Sequence, residues 1–381
     1  MQVNTVAAQL APAKVVIETI KKLFPSWPNY ESQNEVAAQL SISHFKQFPA
    51  PQKSWRFLFK MIEQDVLSYN ERLDVIKENE EFVVSDDLME LIVEAHAAGI
   101  LDNESGYISF QSISNPSQFI PIKVIQSHNQ VGTKVWGAGV YLGEILQREP
   151  TLLQGKCVLE LGAGVGITGL LIARALPPLQ RPSKVIMTDF HHEVVDLLAY
   201  NIEINNNYHA NSTEDSACII EADILDWSTV ENDDFIRYNS RILLAADCTY
   251  SESGNVNLVY AFKIFLHTMM KPNNMKLNPD NTLPTTNNNY CKFLVENEVA
   301  FVLIACTIRN PATYAHFRGL IDGDEELLVE DVTAWGAAIF PVQPQLQLQE
   351  QQVEQQRQGQ ASYYYQEDRA NIDLICIHLK C

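Results

Sequence analysis

The sequence lacks the patterns that mark membrane-bound, secreted and disulfide-stabilised proteins. Its 381 residues contain no apolar run long enough to cross a bilayer, and residues 1–10 do not have the basic-then-apolar order of a signal peptide. The seven cysteines show no Cys-x-x-Cys spacing, so they predict neither a disulfide framework nor a zinc site. We therefore expect a cytoplasmic protein with reduced thiols and no membrane partner.

Basic residues are also scarce. Lysine and arginine number 27 against 47 aspartates and glutamates, which gives a formal net charge of -20. Because a nucleic acid backbone is neutralised by clustered Lys and Arg, we expect no direct nucleic acid partner. A basic protein partner fits an acidic field better. The chain, 46% hydrophobic, is long enough for one large or two modest domains with their own cores.

The most informative stretch is Cys157 to Gly169. A short apolar run, which predicts a buried strand, is followed by glycines at 162, 164 and 166 and then by a helical pattern. Glycine tolerates the backbone angles of a tight turn and lets a ligand lie against the main chain. This strand, turn and helix start predict a nucleotide cradle. The spacing of Gly164 to Gly169 also fits the dinucleotide pattern, so a dehydrogenase is one alternative.

Glu160 favours the other alternative. An acid two residues before the first glycine gives Glu-x-Gly-x-Gly-x-Gly, which resembles the first motif of S-adenosylmethionine-dependent methyltransferases. A carboxylate suits the cationic ammonium group of that cofactor but would repel a pyrophosphate.

Further polar and aromatic residues follow the predicted strands. Asp189 ends the next strand, where an acid can accept both ribose hydroxyls of an adenosine. Trp227 follows the third strand and is a candidate adenine contact, or alternatively an anchor of a surface loop. The fourth strand ends at Asp247, and Tyr250 lies three residues on. Ligands of open α/β sheets bind at this carboxyl edge.

The end of the chain decides between the folds. A fifth strand is predicted at 299–307, a bulged sixth at 326–332 and 338–340, and a last strand at 372–379 that is apolar on both faces. Consecutive strands at the end suit a class I, Rossmann-like seven-stranded methyltransferase sheet whose last strand is antiparallel. They do not suit a dehydrogenase, which would continue with further strand–helix units.

Two domains are predicted. Residues 1–105 read as a helical region, either a packing module or a substrate-recognition module. Residues 106–381 read as the α/β domain, which begins with a hairpin around Asn115 and Pro116. Biased composition predicts mobile loops at 271–290 and 341–367.

From residue 119 to 381 the chain resembles the seven-β-strand S-adenosylmethionine-dependent protein lysine methyltransferases. The motifs that carry the resemblance are Val135-Trp136, Glu160-Leu161-Gly162-Ala163-Gly164, Asp189, Leu225-Asp226-Trp227 and Ala246-Asp247-Cys248-Thr249-Tyr250. The group carries Asp-x-x-Tyr where adenine and glutamine methyltransferases carry Asn-Pro-Pro-Tyr. Within it, the run 307–311 and the helical N-terminal extension look like the elongation factor 2 lysine methyltransferases. The predicted loops depart from the family's core pattern.

The resemblance implies S-adenosyl-L-methionine as cofactor and a protein substrate, a translation elongation factor. It implies cofactor contacts by Trp136, Glu160, Gly162, Ala163, Gly164, Asp189, Trp227 and Ala246. It also implies that Asp247 and Tyr250 line the lysine channel as the catalytic pair. From the residues alone, core packing is favoured for Trp136 over a role as a roof of the cofactor.

Several alternatives remain at this point. The same fold serves methyltransferases of other proteins, RNA and small molecules, and a non-catalytic partner protein could retain the cofactor site. The run His191-His192-Glu193 has no third ligand at helical spacing, so we interpret it as a helix start and expect no metal.

Overall fold

The computed structural model describes residues 2–73, 84–97, 105–125, 131–209, 218–270, 287–335 and 371–380. Contacts between Cα atoms divide the chain into two compact units, with the division between residues 134 and 135. The predicted hairpin therefore falls in the same unit as the N-terminal helices. The domain boundary predicted at residue 105 stays a prediction. Within the described ranges, no helix has the length and apolar character to span a bilayer.

The first unit contains six helices among its described residues. They are α1 (Val3–Ala8), α2 (Ala13–Leu23), α3 (Tyr30–Leu40), α4 (Ser43–Gln47), α5 (Gln52–Leu73) and α6 (Asp86–Ala97). The apolar side chains that recur at helical spacing on α5, such as Phe59, Ile62 and Val66, are fully buried, and so is Leu88 on α6. The helical N-terminal region predicted from this spacing is confirmed in its described part.

An antiparallel hairpin of β1 (Ser105–Gln111) and β2 (Phe119–Ile125) completes the first unit. The ring of His44 stacks on Phe119 at 4.4 Å between centroids, and its Nε2 lies 2.8 Å from Ser109 Oγ. Burial lowers the pKa of His44 to about 4, so the imidazole is neutral at physiological pH. Helix α4 is thereby held to the hairpin by packing and one polar contact.

The second unit is built on a seven-stranded sheet. Its strands are β3 (Cys157–Leu161), β4 (Lys184–Asp189), β5 (Ile219–Ile224), β6 (Ile242–Ala246), β7 (Phe301–Thr307), β8 (Leu327–Asp331) and β9 (Ile372–Leu379). The strand order is β5-β4-β3-β6-β7-β9-β8. Strands β3 to β7 pair in parallel, and β9 is antiparallel to both of its neighbours. The predicted class I sheet, with its last strand inserted antiparallel, is confirmed.

Seven helices accompany this sheet in the described ranges. They are α7 (Gly137–Arg148), α8 (Ile167–Arg174), α9 (His192–His209), α10 (Asn232–Tyr238), α11 (Glu252–Met269), α12 (Asn287–Glu296) and α13 (Pro311–Asp322). Asn310 caps α13 by accepting hydrogen bonds from the backbone N–H groups of Ala312 and Thr313.

Helix α12 was not foreseen, because it begins inside the stretch 271–290 that was predicted as a loop. Tyr290, Cys291 and Leu294 are buried on it, at a helical spacing that the Asn-rich surroundings obscure. The rest of that stretch, the loop 341–367 and the strand piece at 338–340 lie outside the described residues.

The strand order reverses between β3 and β6, which follow each other in space but not in sequence. In an open α/β sheet, a crevice forms at the carboxyl ends of the strands where the order reverses. The glycine turn, Asp189 and Asp247 all follow strands that end at this edge. The fold therefore brings the predicted site residues to one edge of the sheet.

Candidate active site

The glycine turn joins β3 to α8 in a conformation that only glycine adopts easily. Gly162 and Gly166 have φ values of +63° and +85°. A Cβ on Gly166 would lie 2.4 Å from Leu198 Cδ1, and one on Gly162 would lie 2.7 Å from Cys248 Sγ. The backbone N–H of Ala163 donates to the carbonyl of Thr188 at 2.9 Å, which fixes the turn to β4.

Asp189, the last residue of β4, lies against this turn. Its Oδ2 accepts a hydrogen bond from the backbone N–H of Gly164 at 3.1 Å, and its Oδ1 accepts one from Phe190 N–H at 2.9 Å. Burial raises the pKa of the carboxyl, and these backbone donors act in the opposite direction. The structure thus brings together two residues 25 positions apart that were predicted to contact one ligand.

Glu160 lies under the turn and is only 2% exposed. Its Oε2 accepts a hydrogen bond from the backbone N–H of Gly169 in α8 at 3.0 Å. Burial raises the pKa of Glu160 to about 7, while hydrogen bonds from Thr168 and Gly169 lower it and the charge of Asp189 raises it again. The charge of Glu160 therefore changes near neutral pH.

Trp227 approaches the other side of the turn. A Cβ on Gly162 would lie 3.0 Å from Trp227 Cζ2, so the indole ring rests on the glycine backbone. The Nε1–H of Trp227 is buried and has no hydrogen-bond partner in the described structure. A buried N–H without an acceptor is rare in proteins, and a bound ligand is one group that supplies the acceptor.

Asp247 follows β6 with a φ of +53°, an uncommon backbone conformation for a residue other than glycine. Its Oδ1 accepts from Thr307 N–H at 2.9 Å, and its Oδ2 accepts from Ala138 N–H at 3.2 Å. Its Oδ2 also lies 3.2 Å from Nη2 of Arg309, and the side chain is 4% exposed. The carboxylate that was predicted to meet a lysine is thus held by three donors of the protein itself.

Ala246 precedes Asp247 in the chain, and Trp136 contacts Arg309, the ion-pair partner of Asp247. Trp136 is the residue that precedes α7, and the guanidinium carbon of Arg309 lies 4.7 Å from the centroid of its ring. Ala246 ends β6 and pairs with Ala305 of β7. The start of α7, the end of β6 and the segment after β7 therefore meet at Asp247.

Tyr250 differs from the other predicted residues because it is 58% exposed. It precedes α11, whose first turn is capped by the Ser251 side chain at the backbone N–H of Gly254. Partial desolvation raises the pKa of the phenol, and the charges of Cys248 and Asp189 raise it further. The hydroxyl is accessible from solvent at the same edge of the sheet.

The family model described as lysine methyltransferase matches residues 117–275. The human putative protein N-methyltransferase FAM86B1 is 28% identical over 215 residues, which are 55% of this chain and 59% of that protein. The mouse protein-lysine N-methyltransferase EEF2KMT is 30% identical over 143 residues, 37% of this chain and 41% of that protein.

A calmodulin-lysine N-methyltransferase of Arabidopsis thaliana is 26% identical over 159 residues, 41% of this chain and 49% of that protein. The matched segments thus span about half of the length of these relatives. Residues 117–275, the segment that the family model matches, contain every predicted site residue.

Arg309 lies outside that region, and sequence reasoning assigned it no role. The signal that could have found it is its position two residues after the end of β7, at the carboxyl edge where the other site residues gather. In the described part of the chain, no three His, Cys, Asp or Glu side chains are grouped as a metal site would require.

Proposed function

We propose that this protein is an S-adenosylmethionine-dependent protein-lysine N-methyltransferase. The observation that carries the proposal is the glycine turn where the strand order of a class I sheet reverses, with both Asp189 and Trp227 lying beside that turn. The match of residues 117–275 to the family model described as lysine methyltransferase supports the same activity.

The residues present fit the cofactor. The ring of Trp227 lies beside Gly162, and an adenosine bound there would supply the acceptor that the buried Nε1–H lacks in the described structure. Asp189 would hold the ribose through Oδ2, which accepts from Gly164 N–H and keeps a lone pair, whereas Oδ1 already accepts from the backbone N–H groups of Phe190 and His191. The main chain from Gly162 to Gly164 allows close approach, and the Glu160 carboxylate attracts a cationic group when ionised. Trp136 and Ala246 would cover the remaining side of the bound cofactor. When bound, the cofactor supplies a methyl group already activated on a sulfonium.

The protein must then hold a lysine amine in line with that methyl group, at contact distance. We assign the orientation of the amine to Asp247 and the narrowing of the channel to Tyr250. A carboxylate has about four lone-pair sites, and three of those on Asp247 are used by Thr307, Ala138 and Arg309. One site on Oδ1 is left for the amine.

Deprotonation of the lysine needs a separate source, because a neighbouring carboxylate raises the pKa of an ammonium group. We assign proton loss to desolvation of the amine in the channel, with water as the acceptor. The Tyr250 hydroxyl can donate or accept one hydrogen bond at the entrance.

We propose elongation factor 2 as the substrate. The support is the resemblance of residues 307–311 and of the helical N-terminal region to the lysine methyltransferases of that factor. An acidic chain with a net charge of -20 also suits a substrate that presents a lysine among other basic groups.

The test is to incubate the protein with methyl-labelled S-adenosylmethionine and a cell lysate. A labelled protein band that co-migrates with elongation factor 2 supports the proposal. Label in RNA or in small molecules would reassign the substrate class. Binding of the cofactor without any transfer would contradict the enzymatic activity and favour a non-catalytic role.

A further inference from the structure

The geometry points to Arg309 as a positioning residue that holds Trp136 over the cofactor crevice and Asp247 at the lysine channel. This inference rests on the proposed function. Arg309 is outside the family match at 117–275, so its role follows from the structure rather than from the comparison.

Arg309 closes a ring of contacts around the first turn of α7. Its guanidinium lies over the ring of Trp136, the residue before the helix, at 4.7 Å. Its Nη2 lies 3.2 Å from Asp247 Oδ2, and the same oxygen accepts from the backbone N–H of Ala138, two residues after Trp136. The two members of the ion pair thus contact the start of α7 at different residues, Arg309 at Trp136 and Asp247 at Ala138.

The ion pair is asymmetric in its exposure. The Asp247 side chain is 4% exposed, whereas that of Arg309 is 44% exposed. A buried carboxylate needs compensating donors, and Arg309 is the charged one among its three. Removal of Arg309 would leave Asp247 with two backbone donors and without the positive charge that compensates its burial.

Only arginine can make both contacts well. Its planar guanidinium stacks on an aromatic face and still directs N–H groups in its plane towards a carboxylate. A lysine at this position would keep a positive charge near Asp247 but would lose the planar stacking on Trp136. The two contacts can therefore be separated by substitution.

The test measures binding of S-adenosylhomocysteine, the demethylated cofactor, by calorimetry. We expect Arg309→Met to weaken binding about tenfold, because the cation over Trp136 is lost, and Arg309→Lys to show a smaller loss. Arg241→Met is the matched control. That arginine pairs with Glu298 at the opposite edge of the sheet, and its loss should leave the affinity unchanged.

A double-mutant cycle with Trp136→Ala separates positioning from general stability. If Arg309 acts through Trp136, Arg309→Met causes no further loss of affinity in the Trp136→Ala background. Unchanged affinity in Arg309→Met, or losses that add fully, would overturn the inference. If Arg309→Met unfolds, the same cycle with Arg309→Lys decides the matter. Absence of binding by the wild-type protein would instead contradict the proposed function.

Discussion

Glu160 provides a test of the buried site that needs neither substrate nor cofactor. Its carboxyl is enclosed under the glycine turn, and burial raises its pKa from the ordinary 4.5 to about 7. The substitution Glu160→Gln removes the ionisable group. The amide oxygen can still accept from the backbone N–H of Gly169, and the amide N–H can donate to the Thr168 hydroxyl.

The sign of the effect follows from proton linkage. A carboxyl whose pKa is higher in the folded state favours folding while it is protonated. That contribution is fully present below pH 4.5 and is lost as the pH rises through about 7. The whole shift corresponds to about 3 kcal/mol. Between about pH 5.5 and about pH 8.5, the wild-type protein should therefore lose about 2 kcal/mol of unfolding free energy relative to Glu160→Gln.

The assay is urea unfolding of the full chain at both pH values, followed by circular dichroism and tryptophan fluorescence. Glu252→Gln, at an exposed position in the first turn of α11, controls for the loss of one carboxylate from the net charge. If the stabilities of wild type and Glu160→Gln change in parallel with pH, the buried and protonated state of Glu160 is refuted.

Three further substitutions probe the turn, a helix cap and the channel. Gly166→Ala should lower the free energy of urea unfolding by about 1–3 kcal/mol, because φ is +85° and the new Cβ would clash with Leu198. Gly137→Ala should leave the stability unchanged, because no atom lies within 4 Å of the Cβ it would add. Equal effects of the two would contradict this. Asn310→Ala should cost about 1 kcal/mol through loss of the α13 cap, and an unchanged unfolding midpoint would argue against the cap. Tyr250→Phe should slow methyl transfer about tenfold with unchanged stability and unchanged affinity for S-adenosylhomocysteine, and full activity would remove the hydroxyl from the mechanism.

The sheet could be predicted from sequence because its strands are short apolar runs with polar or glycine residues at their ends. The same local signals placed Asp189, Trp227 and Asp247 at strand ends, and a sheet gathers such ends at one edge. Helix α12 escaped prediction because only a few buried residues, among them Cys291, mark it within an Asn-rich stretch.

The partners of Asp247 could not be predicted, because they depend on the spatial order of the strands. Ala138 lies 109 residues before it and Arg309 lies 62 residues after it. No local pattern indicates that these three residues meet. Likewise, the sequence gives no sign that the hairpin β1–β2 groups with the N-terminal helices, since a hairpin packs equally well on either neighbour.

Methyl transfer to a lysine of elongation factor 2 can be measured on the purified factor. The most direct measurement incubates the purified factor with this protein and S-adenosylmethionine and maps the products by peptide mass spectrometry. We expect a methylated lysine that is absent when the cofactor is omitted and whose yield Asp247→Ala strongly reduces. An elongation factor that stays unmodified, while the protein binds S-adenosylhomocysteine normally, would contradict the proposed substrate.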